Sequence, residues 1–498
     1  MNNTDSLLAI LPVLVVMATG MLVLVCDACI PAWRRARVLT GTLSLFGIGI
    51  AVVFSVIEIN TYHAQTSAFN GAVSVDHFSQ ACNLILLTTA TIAVLLALTY
   101  LESRKLNLGE YYALVLFSTG GAMLMAAAQD LIVLFIALEI LSVALYVLSG
   151  FARTEAKSEE AALKYFLLGA FAAGFLLYGI ALVYGGSGTE TTGGTTNLVA
   201  LAALLKSIGH PTVMLMTGVA LLLVGLGFKA ALVPFHMWTP DVYEGAPTSV
   251  TAYMAAAAKI GAFAALLRVF NALTPVADYW LIAIQILAVL TMFGGNILAV
   301  TQDNVKRMLA YSSIAHAGYL LVAVSAMTSA EAHDQAFGAA IFQLLAYTLM
   351  TMGAFGVLIW LSRGGKDYQT LDDLKGLIKR DPPAAYLMLL FMLSLGGMPP
   401  TMGFIGKWYL FNAAIAAHQI WLALALAGAS IISIAYYLKI VWTMCFQEPD
   451  RRVVADRPSM PAGVIVALLI TVSVTILCGV IPNLINPLMT AAHTVLRP

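Results

Sequence analysis

The chain has 498 residues, of which 61% are hydrophobic and only 10% are charged, and its formal net charge is zero. Soluble domains carry roughly 25% charged residues, so this composition excludes a soluble enzyme, a disordered chain and a secreted disulfide scaffold. Because the net charge is zero, the composition also argues against nucleic-acid binding. The class that remains is an all-α polytopic membrane protein.

A helix needs about 20 consecutive apolar residues to cross the hydrocarbon layer of a bilayer. Apolar segments of that length predict about 14 transmembrane helices in this chain. In chain order they cover residues 7–25, 39–59, 82–100, 110–128, 131–150, 161–184, 212–233, 249–268, 279–300, 308–326, 337–361, 384–412, 420–445 and 461–481.

The distribution of Lys and Arg among the loops predicts the orientation of these helices, because cytoplasmic loops are enriched in both. One face carries Arg34–Arg37, Arg104–Lys105, Arg153–Lys164, Lys306–Arg307, Arg363–Arg380 and Arg451–Arg457. The opposite face carries only Lys206, Arg268 and Arg497. We therefore expect the first face to be cytoplasmic and both termini to lie on the outer side.

Six ionisable residues stand out inside the predicted spans, where a charge costs roughly 2.5–3.5 kcal/mol or more on insertion scales. They are Glu139, Lys229, Lys259, His316, Lys407 and Lys439. Burial destabilises an ammonium group and a nearby carboxylate stabilises it, so movement of the carboxylate would move the proton. Lysines and an acid on neighbouring helices, with polar side chains between them, therefore predict a proton relay rather than a site for metal cations.

Each of these residues also has a structural interpretation. A lysine near a helix end can extend its ammonium group to the interface, and this applies above all to Lys439, near the cytoplasmic end of its span. Glu139 could serve only as a counter-charge to a lysine. His316 could be a buried histidine whose hydrogen bonds are satisfied. The sequence leaves these alternatives open.

The same charges predict an internal repeat. Glu139 and His316 are 177 residues apart, Lys229 and Lys407 are 178 apart, and Lys259 and Lys439 are 180 apart. Two units of five spans follow, and because five is odd the second unit is inverted, as in many transporters. Pro234 and the GGMPP segment at 396–400 predict breaks in helices 7 and 12. The predicted divisions are 1–105 (helices 1–3), 106–270 (first repeat, helices 4–8), 271–447 (second repeat, helices 9–13) and 448–498 (helix 14).

Three segments resemble the antiporter-like membrane subunits of respiratory complex I, the proton-pumping NADH:quinone oxidoreductase. They are GFKAALVPFHMWTPDVYEGAPT (227–248), QDNVKRMLAYSSIAHAGY (302–319) and GGMPPTMGFIGKWYLF (396–411). The form TPDVYEGAPT and a lysine at 407 resemble one branch of that family, and the resemblance covers nearly the whole chain. It implies a proton-translocating subunit with Glu139 and Lys229 as a coupled pair. Lys259 would be the connecting lysine, His316 would lie on the axis, and Lys407 would be the terminal donor toward the outer side.

The resemblance also implies a multi-pass protein of the bacterial inner membrane, flanked on both sides by other membrane subunits of the complex and by lipids. FMN, iron–sulfur clusters and the bound quinone would lie in other subunits, so this enzyme subunit would carry no redox centre. The cysteines are consistent with this expectation. Cys26 and Cys29 form one C-x-x-C motif, whereas a zinc or iron–sulfur site needs about four ligands. Two alternatives remain, namely a subunit of a multi-subunit cation/proton antiporter and a passive structural subunit.

Overall fold

The computed structural model describes residues 3–29, 34–61, 66–106, 108–188, 193–208, 210–362, 367–449 and 461–491. This part of the chain is almost entirely helical, with one antiparallel pair of short strands, β1 (Thr66–Ala68) and β2 (Val73–Val75). Its α-helices are α1 Asn3–Leu8, α2 Leu11–Cys29, α3 Arg34–Thr61, α4 His77–Ser103, α5 Gly109–Ala127, α6 Leu131–Ser149, α7 Ala156–Ser187, α8 Leu198–Ile208, α9 Val213–Ala230, α10 Trp238–Gly245, α11 Thr248–Ala272, α12 Ala277–Val300, α13 Val305–Ala326, α14 His333–Leu361, α15 Leu371–Leu374, α16 Leu377–Arg380, α17 Pro382–Gly396, α18 Met402–Ala416, α19 Ile420–Phe446, α20 Ala462–Val480 and α21 Asn486–Ala491. Two short 3-10 helices cover Thr274–Val276 and Pro482–Ile485.

Several of the Lys and Arg residues that predict the orientation lie outside the described residues. The side chains of Arg34, Arg35 and Arg37, and the residues Arg363, Lys366, Arg451, Arg452, Arg457 and Arg497, lie outside the described part.

Twelve of the described helices are long and apolar enough to cross a membrane, and all twelve coincide with predicted spans. The two other predicted spans, 110–128 and 384–412, correspond to α5 and to the pair α17 and α18. Helix α5 contains Gly, Ser, Thr and Tyr and is buried along nearly its whole length, so neighbouring helices rather than lipid surround it. The chain is a polytopic α-helical membrane protein, and the count of fourteen crossings stays a prediction.

Helices α11, α13 and α14 form the centre of the bundle and are buried almost completely. Their sequences are mostly apolar and rich in small residues, which is typical of helices that are surrounded by other helices. Helix α13 packs closely on α12, since a Cβ atom on Gly295 or Gly318 would lie 2.6 Å from backbone atoms of the other helix. Ionisable side chains on the three central helices are therefore shielded from lipid by the outer helices.

The backbone contains a repeated pairing. Before α6 and α8, Leu131 N–H donates to Thr196 O (2.9 Å) and Leu198 N–H donates to Gln129 O (2.8 Å). Before α13 and α15 the same pattern recurs, with Val305 N–H donating to Gln369 O (2.7 Å) and Leu371 N–H donating to Asp303 O (3.0 Å). The first residues of the two pairs are 174 positions apart, close to the offset of the buried charges. This recurrence supports the prediction of two related units.

The two helix interruptions have similar geometry. Helix α9 ends at Ala231 (φ 60°) and α17 ends at Gly397 (φ 84°), and both residues are in the left-handed conformation that closes a helix. The lysines occupy different places relative to these interruptions, because Lys229 directly precedes the first whereas Lys407 follows the second, on α18. Their offset of 178 residues therefore does not place them at equivalent points of the two breaks.

Candidate functional site

Lys229 lies in an aromatic pocket at the end of α9. Its side chain is buried, and its Nζ donates a hydrogen bond of 3.0 Å to the Tyr165 hydroxyl on α7. The ammonium group also lies 5.0 Å from the ring centre of Tyr165 and 5.6 Å from that of Tyr146. Aromatic faces attract a cation without neutralising it, so the rings themselves supply no counter-charge to this ammonium group.

Glu139 lies on α6 beside this pocket. Its carboxyl group interacts electrostatically with Lys229 and with Tyr146, but no ion pair within 4 Å joins it to either partner among the described residues. One carboxyl oxygen, Oε1, is buried without a hydrogen-bond partner. An acid that is near a lysine without contacting it leaves room for water or for movement between the two groups.

Lys259 is the central lysine of the bundle. Its Nζ on α11 donates to the Ser313 carbonyl on α13 and lies 4.6 Å from the ring centre of Tyr347 on α14. No carboxylate lies within ion-pair distance of this ammonium group among the described residues. One side chain thus links the three most buried helices.

His316 lies between Lys259 and Lys407. Its Nδ1 is 3.0 Å from Gln343 Nε2, while its Nε2 is buried without a partner in normal hydrogen-bond geometry. Since the amide nitrogen can only donate, Nδ1 accepts and a neutral ring carries its proton on Nε2. Both lysine ammonium groups interact electrostatically with the ring.

Lys407 fills the second interruption. Its Nζ donates to the carbonyls of Leu395 (3.2 Å) and Gly396 (3.1 Å), at the end of α17, and approaches Ser433 Oγ at 3.5 Å. These carbonyls lack helical partners because α17 stops there, and a cation at a helix C-terminus is favoured by the helix dipole. The Tyr319 ring centre lies 5.1 Å from Nζ.

Aromatic rings join these groups into one line. The His316 ring lies 5.0 Å from Tyr347, which faces Lys259, and 5.3 Å from Tyr319, which faces Lys407. On the other side of Lys259, Ser313 lies 3.4 Å from the Tyr243 hydroxyl, which leads back toward the Lys229 pocket. The structure therefore brings together five of the six predicted residues.

Lys439 lies apart from this line. Its side chain is partly exposed, and its Nζ contacts Asp303 Oδ1 at 3.0 Å and the Gln302 carbonyl at 3.1 Å. This geometry is the interfacial arrangement that the sequence left open as an alternative.

Sequence reasoning misplaced two cations and missed one acid. Arg268 and Lys306 were expected in loops, but Arg268 is buried against Asp76 and Lys306 is 1% exposed. Glu58, which the list of intramembrane charges omitted, is buried on α3 and accepts a 2.6 Å hydrogen bond from Gln80 Nε2. The signal was available for Glu58, since it lies within the predicted span 39–59. For the two cations it was not, because both are close to predicted span ends.

We call the end of the bundle that carries Arg104, Lys157 and Arg307 the basic face. A cluster of paired charges lies there. Asp241 pairs there with Lys164 at 2.8 Å and with Arg307 at 2.7 Å. Glu244 pairs with Lys157 at 2.9 Å and with Arg307 at 3.0 Å. In the structure, the segment containing these acids forms the short helix α10 between α9 and α11.

These contacts determine how the cluster responds to pH. Burial opposes ionisation and is the largest single effect, but the hydrogen bonds and charges of the paired cations together outweigh it and lower the pKa of both Asp241 and Glu244. A carboxyl group with a depressed folded-state pKa stabilises the fold above the ordinary carboxyl pKa of about 4. That stabilisation is lost as the pH falls through the depressed value.

We therefore expect acid to lower the melting temperature of the wild-type chain more steeply than that of Asp241→Asn as the pH falls below about 5. Thermal unfolding of both chains in one detergent, followed by circular dichroism, measures the two slopes. Parallel slopes would contradict the assignment of these ion pairs.

Among the described residues, no group of three or more His, Cys, Asp or Glu side chains is arranged to hold a metal ion. The chemistry that the buried residues offer is proton exchange between lysine, histidine and acid side chains.

The chain is similar in sequence to proteins of a known family. Residues 128–433 match the family model described as NADH:quinone oxidoreductase/Mrp antiporter, TM. NADH-quinone oxidoreductase subunit N of Trichlorobacter lovleyi is 42% identical over 97% of this chain and 96% of its own length, and that of Chloroflexus aggregans is 41% identical over 95% and 94%. These relatives identify the branch that TPDVYEGAPT and Lys407 indicated.

Solved structures agree with this comparison. A chain of respiratory complex I from Thermus thermophilus with bound aureothin has a TM-score of 0.78 and 33% identity, over 96% of this chain and 99% of that one. A chain of the Mrp complex from Dietzia sp. DQ12-45-1b has a TM-score of 0.81 and, at 23% identity, shares the fold. The chain therefore belongs to the NADH:quinone oxidoreductase/Mrp antiporter family, and within it to the family of NADH-quinone oxidoreductase subunit N.

Proposed function

We propose that this chain is a proton-translocating membrane subunit of a proton-pumping NADH:quinone oxidoreductase. In this proposal, quinone reduction elsewhere in the complex drives protons through a relay of Glu139, Lys229, Lys259, His316 and Lys407. FMN, iron–sulfur clusters and the quinone are held by partner subunits, and other membrane subunits flank this chain. The basic face is cytoplasmic in this arrangement, both termini are on the outer side, and the membrane is the bacterial inner membrane.

One observation carries the proposal. Lys229, Lys259 and Lys407 are buried inside a helix bundle, yet none has a carboxylate within 4 Å among the described residues. Each unpaired ammonium costs several kcal/mol, so a passive structural subunit would gain from apolar residues at these positions. A site that must release protons, in contrast, requires lysines whose charge is only weakly held.

The arrangement supplies a physical reason for directed transfer. Lys259 and Lys407 flank one imidazole, and like charges repel, so a proton arriving at Lys259 favours departure of the proton held at Lys407. His316 can pass a proton because its two nitrogens act as acceptor and donor in turn. Glu139 modulates the other end, since its approach to Lys229 favours the ammonium form and its withdrawal favours release.

The proposal predicts that the chain purifies, in a mild detergent, together with flavin- and iron-containing NADH oxidase activity. When this complex is reconstituted in liposomes and NADH and quinone are added, the compartment across the membrane from the added NADH should become more acidic. Na⁺- or K⁺-dependent proton flux without a redox donor would instead support the cation/proton antiporter alternative. Proton-to-electron ratios that survive neutralisation of Glu139, Lys229, Lys259 and Lys407 together would support the passive structural subunit.

A further inference from the structure

The short helix α10 (Trp238–Gly245) connects the charged surface of the bundle with its interior. Its two acids, Asp241 and Glu244, make the ion pairs of the basic face described above. Its two aromatic residues, Trp238 and Tyr243, are buried and point toward the relay lysines. The eight residues of α10 thus connect the surface ion pairs with the partners of the relay lysines.

The acids fix the outer side of α10. Together they bind Lys157 and Lys164 on α7 and Arg307 on α13, at 2.7 to 3.0 Å. The side chains surround an open cavity of about 130 Å³. Helix α10 is therefore held by charge between two helices that belong to different predicted units.

The aromatic residues hold the partners of two relay lysines. Trp238 stacks on Tyr165, with ring centres 4.4 Å apart and planes within 10°, and Tyr165 is the hydrogen-bond partner of Lys229. Tyr243 contacts Ser313 Oγ at 3.4 Å, and the Ser313 carbonyl accepts from Lys259. A shift of α10 would therefore change the surroundings of both lysines together.

Two further contacts restrict the movement of α10. Lys306, which is buried, donates to the carbonyls of Glu244 (3.0 Å) and Ala246 (2.6 Å) at the C-terminal end of the helix. Gly245 packs against α7 so closely that a Cβ atom would lie 2.3 Å from the Lys157 carbonyl. The charges that act on Lys306 from further away are those of Asp367, Arg104, Glu244 and Glu155.

We propose that Asp241 and Glu244 are positioning residues for proton transfer, because their ion pairs fix α10 and thereby place Trp238 and Tyr243 against the partners of Lys229 and Lys259. This inference rests on the proposed function. It extends the relay to a surface cluster that never contacts the transferred proton and that acts through the ion pairs holding α10 in place.

The test is Glu244→Gln, which keeps the shape of the side chain and removes both of its ion pairs. The purified complex is assayed for NADH-driven proton translocation per assembled complex, with KM values for NADH and quinone. We expect kcat to fall about fivefold or more, the low end of coupling between distinct sites, with both KM values unchanged. Glu244→Asp, which keeps the charge, should restore most of the rate.

Glu110→Gln is the matched control, since Glu110 forms an exposed 3.8 Å pair with Arg153 and contacts no relay partner. A merely structural cluster would reduce the amount of assembled complex but leave kcat per assembled complex at the control value, and that result would overturn the inference. If Glu244→Gln fails to assemble, the double variant Lys157→Ala with Arg307→Gln removes the same two pairs from the opposite side, together with the Arg307–Asp241 pair, and is judged by the same criterion.

Lys229→Ala, assayed in parallel, separates the two proposals. If Lys229→Ala and Glu244→Gln both keep the control rate, the proposed function fails together with the inference. If only Lys229→Ala loses activity, the relay stands and the inference alone is wrong.

Discussion

Replacement of Lys229 by alanine is expected to lower NADH-driven proton translocation and quinone reductase activity by about 100-fold, the low end for a side chain that transfers a proton. The physical reason is that this ammonium group is held by one hydroxyl and two aromatic rings, and by no carboxylate among the described residues. Because no carboxylate contacts Lys229 among the described residues, its removal deprives no buried carboxylate of a contacting partner. The complex should therefore still assemble. Proton uptake and quinone reduction by purified variant complexes in liposomes measure both activities.

Lys206→Ala is the matched control, because Lys206 is an exposed lysine in the last turn of α8. Assembled Lys229→Ala complexes that pump at the control rate would show that Lys229 is structural.

Lys439→Ala is informative in the same assay. Its partly exposed pair with Asp303 predicts an effect within about twofold of the control, as for most surface ion pairs. A 100-fold loss would return Lys439 to the relay.

Replacement of Arg268 by methionine is expected to destabilise the chain by about 3–5 kcal/mol. Arg268 Nη2 lies 2.7 and 2.8 Å from the two carboxyl oxygens of Asp76, both side chains are almost fully buried, and Nε donates to the Ala126 carbonyl. Methionine fills similar volume but leaves a buried carboxylate without its counter-charge. Thermal unfolding of the purified chain in lipid nanodiscs measures the loss.

The control for charge removal is Arg153→Met, since Arg153 is largely exposed and its pair should be worth less than about 1 kcal/mol. The double variant Arg268→Met with Asp76→Asn should recover part of the stability. Both partners are then neutral, and asparagine still caps the start of α4 as Asp76 does through Ser79 N–H. Equal melting temperatures for Arg268→Met and Arg153→Met would contradict the role assigned to this pair.

The spans and the buried lysines could be predicted because each depends on local sequence. A run of apolar residues that crosses a bilayer is visible along the chain, and a lysine inside such a run is costly wherever the helix packs. The prediction was therefore right for the helices of Lys229, Lys259 and His316, and all twelve membrane-length helices coincide with predicted spans. Residue Glu58 was missed although the same rule applied to it.

The burial of the two misplaced cations could not be predicted from the local sequence. Arg268 and Lys306 lie at helix ends, and a residue at a helix end faces either water or protein depending on which helices surround it. Arg268 is buried because Asp76, 192 residues away, lies against it. Lys306 is buried because the end of α10 covers it and offers two carbonyls. No property of the flanking sequence distinguishes these cases.

By itself, the sequence determined that this protein spans a membrane many times, which residues carry charge into it, and which family it resembles. The first two features depend on the cost of removing a side chain from water, which each residue incurs individually. Only the tertiary structure decided which charges meet: the line through Tyr347, His316 and Tyr319, the withdrawal of Lys439 to the surface, and the position of α10 between cluster and relay. These outcomes depend on contacts between residues distant along the chain, which are fixed only when the helices pack.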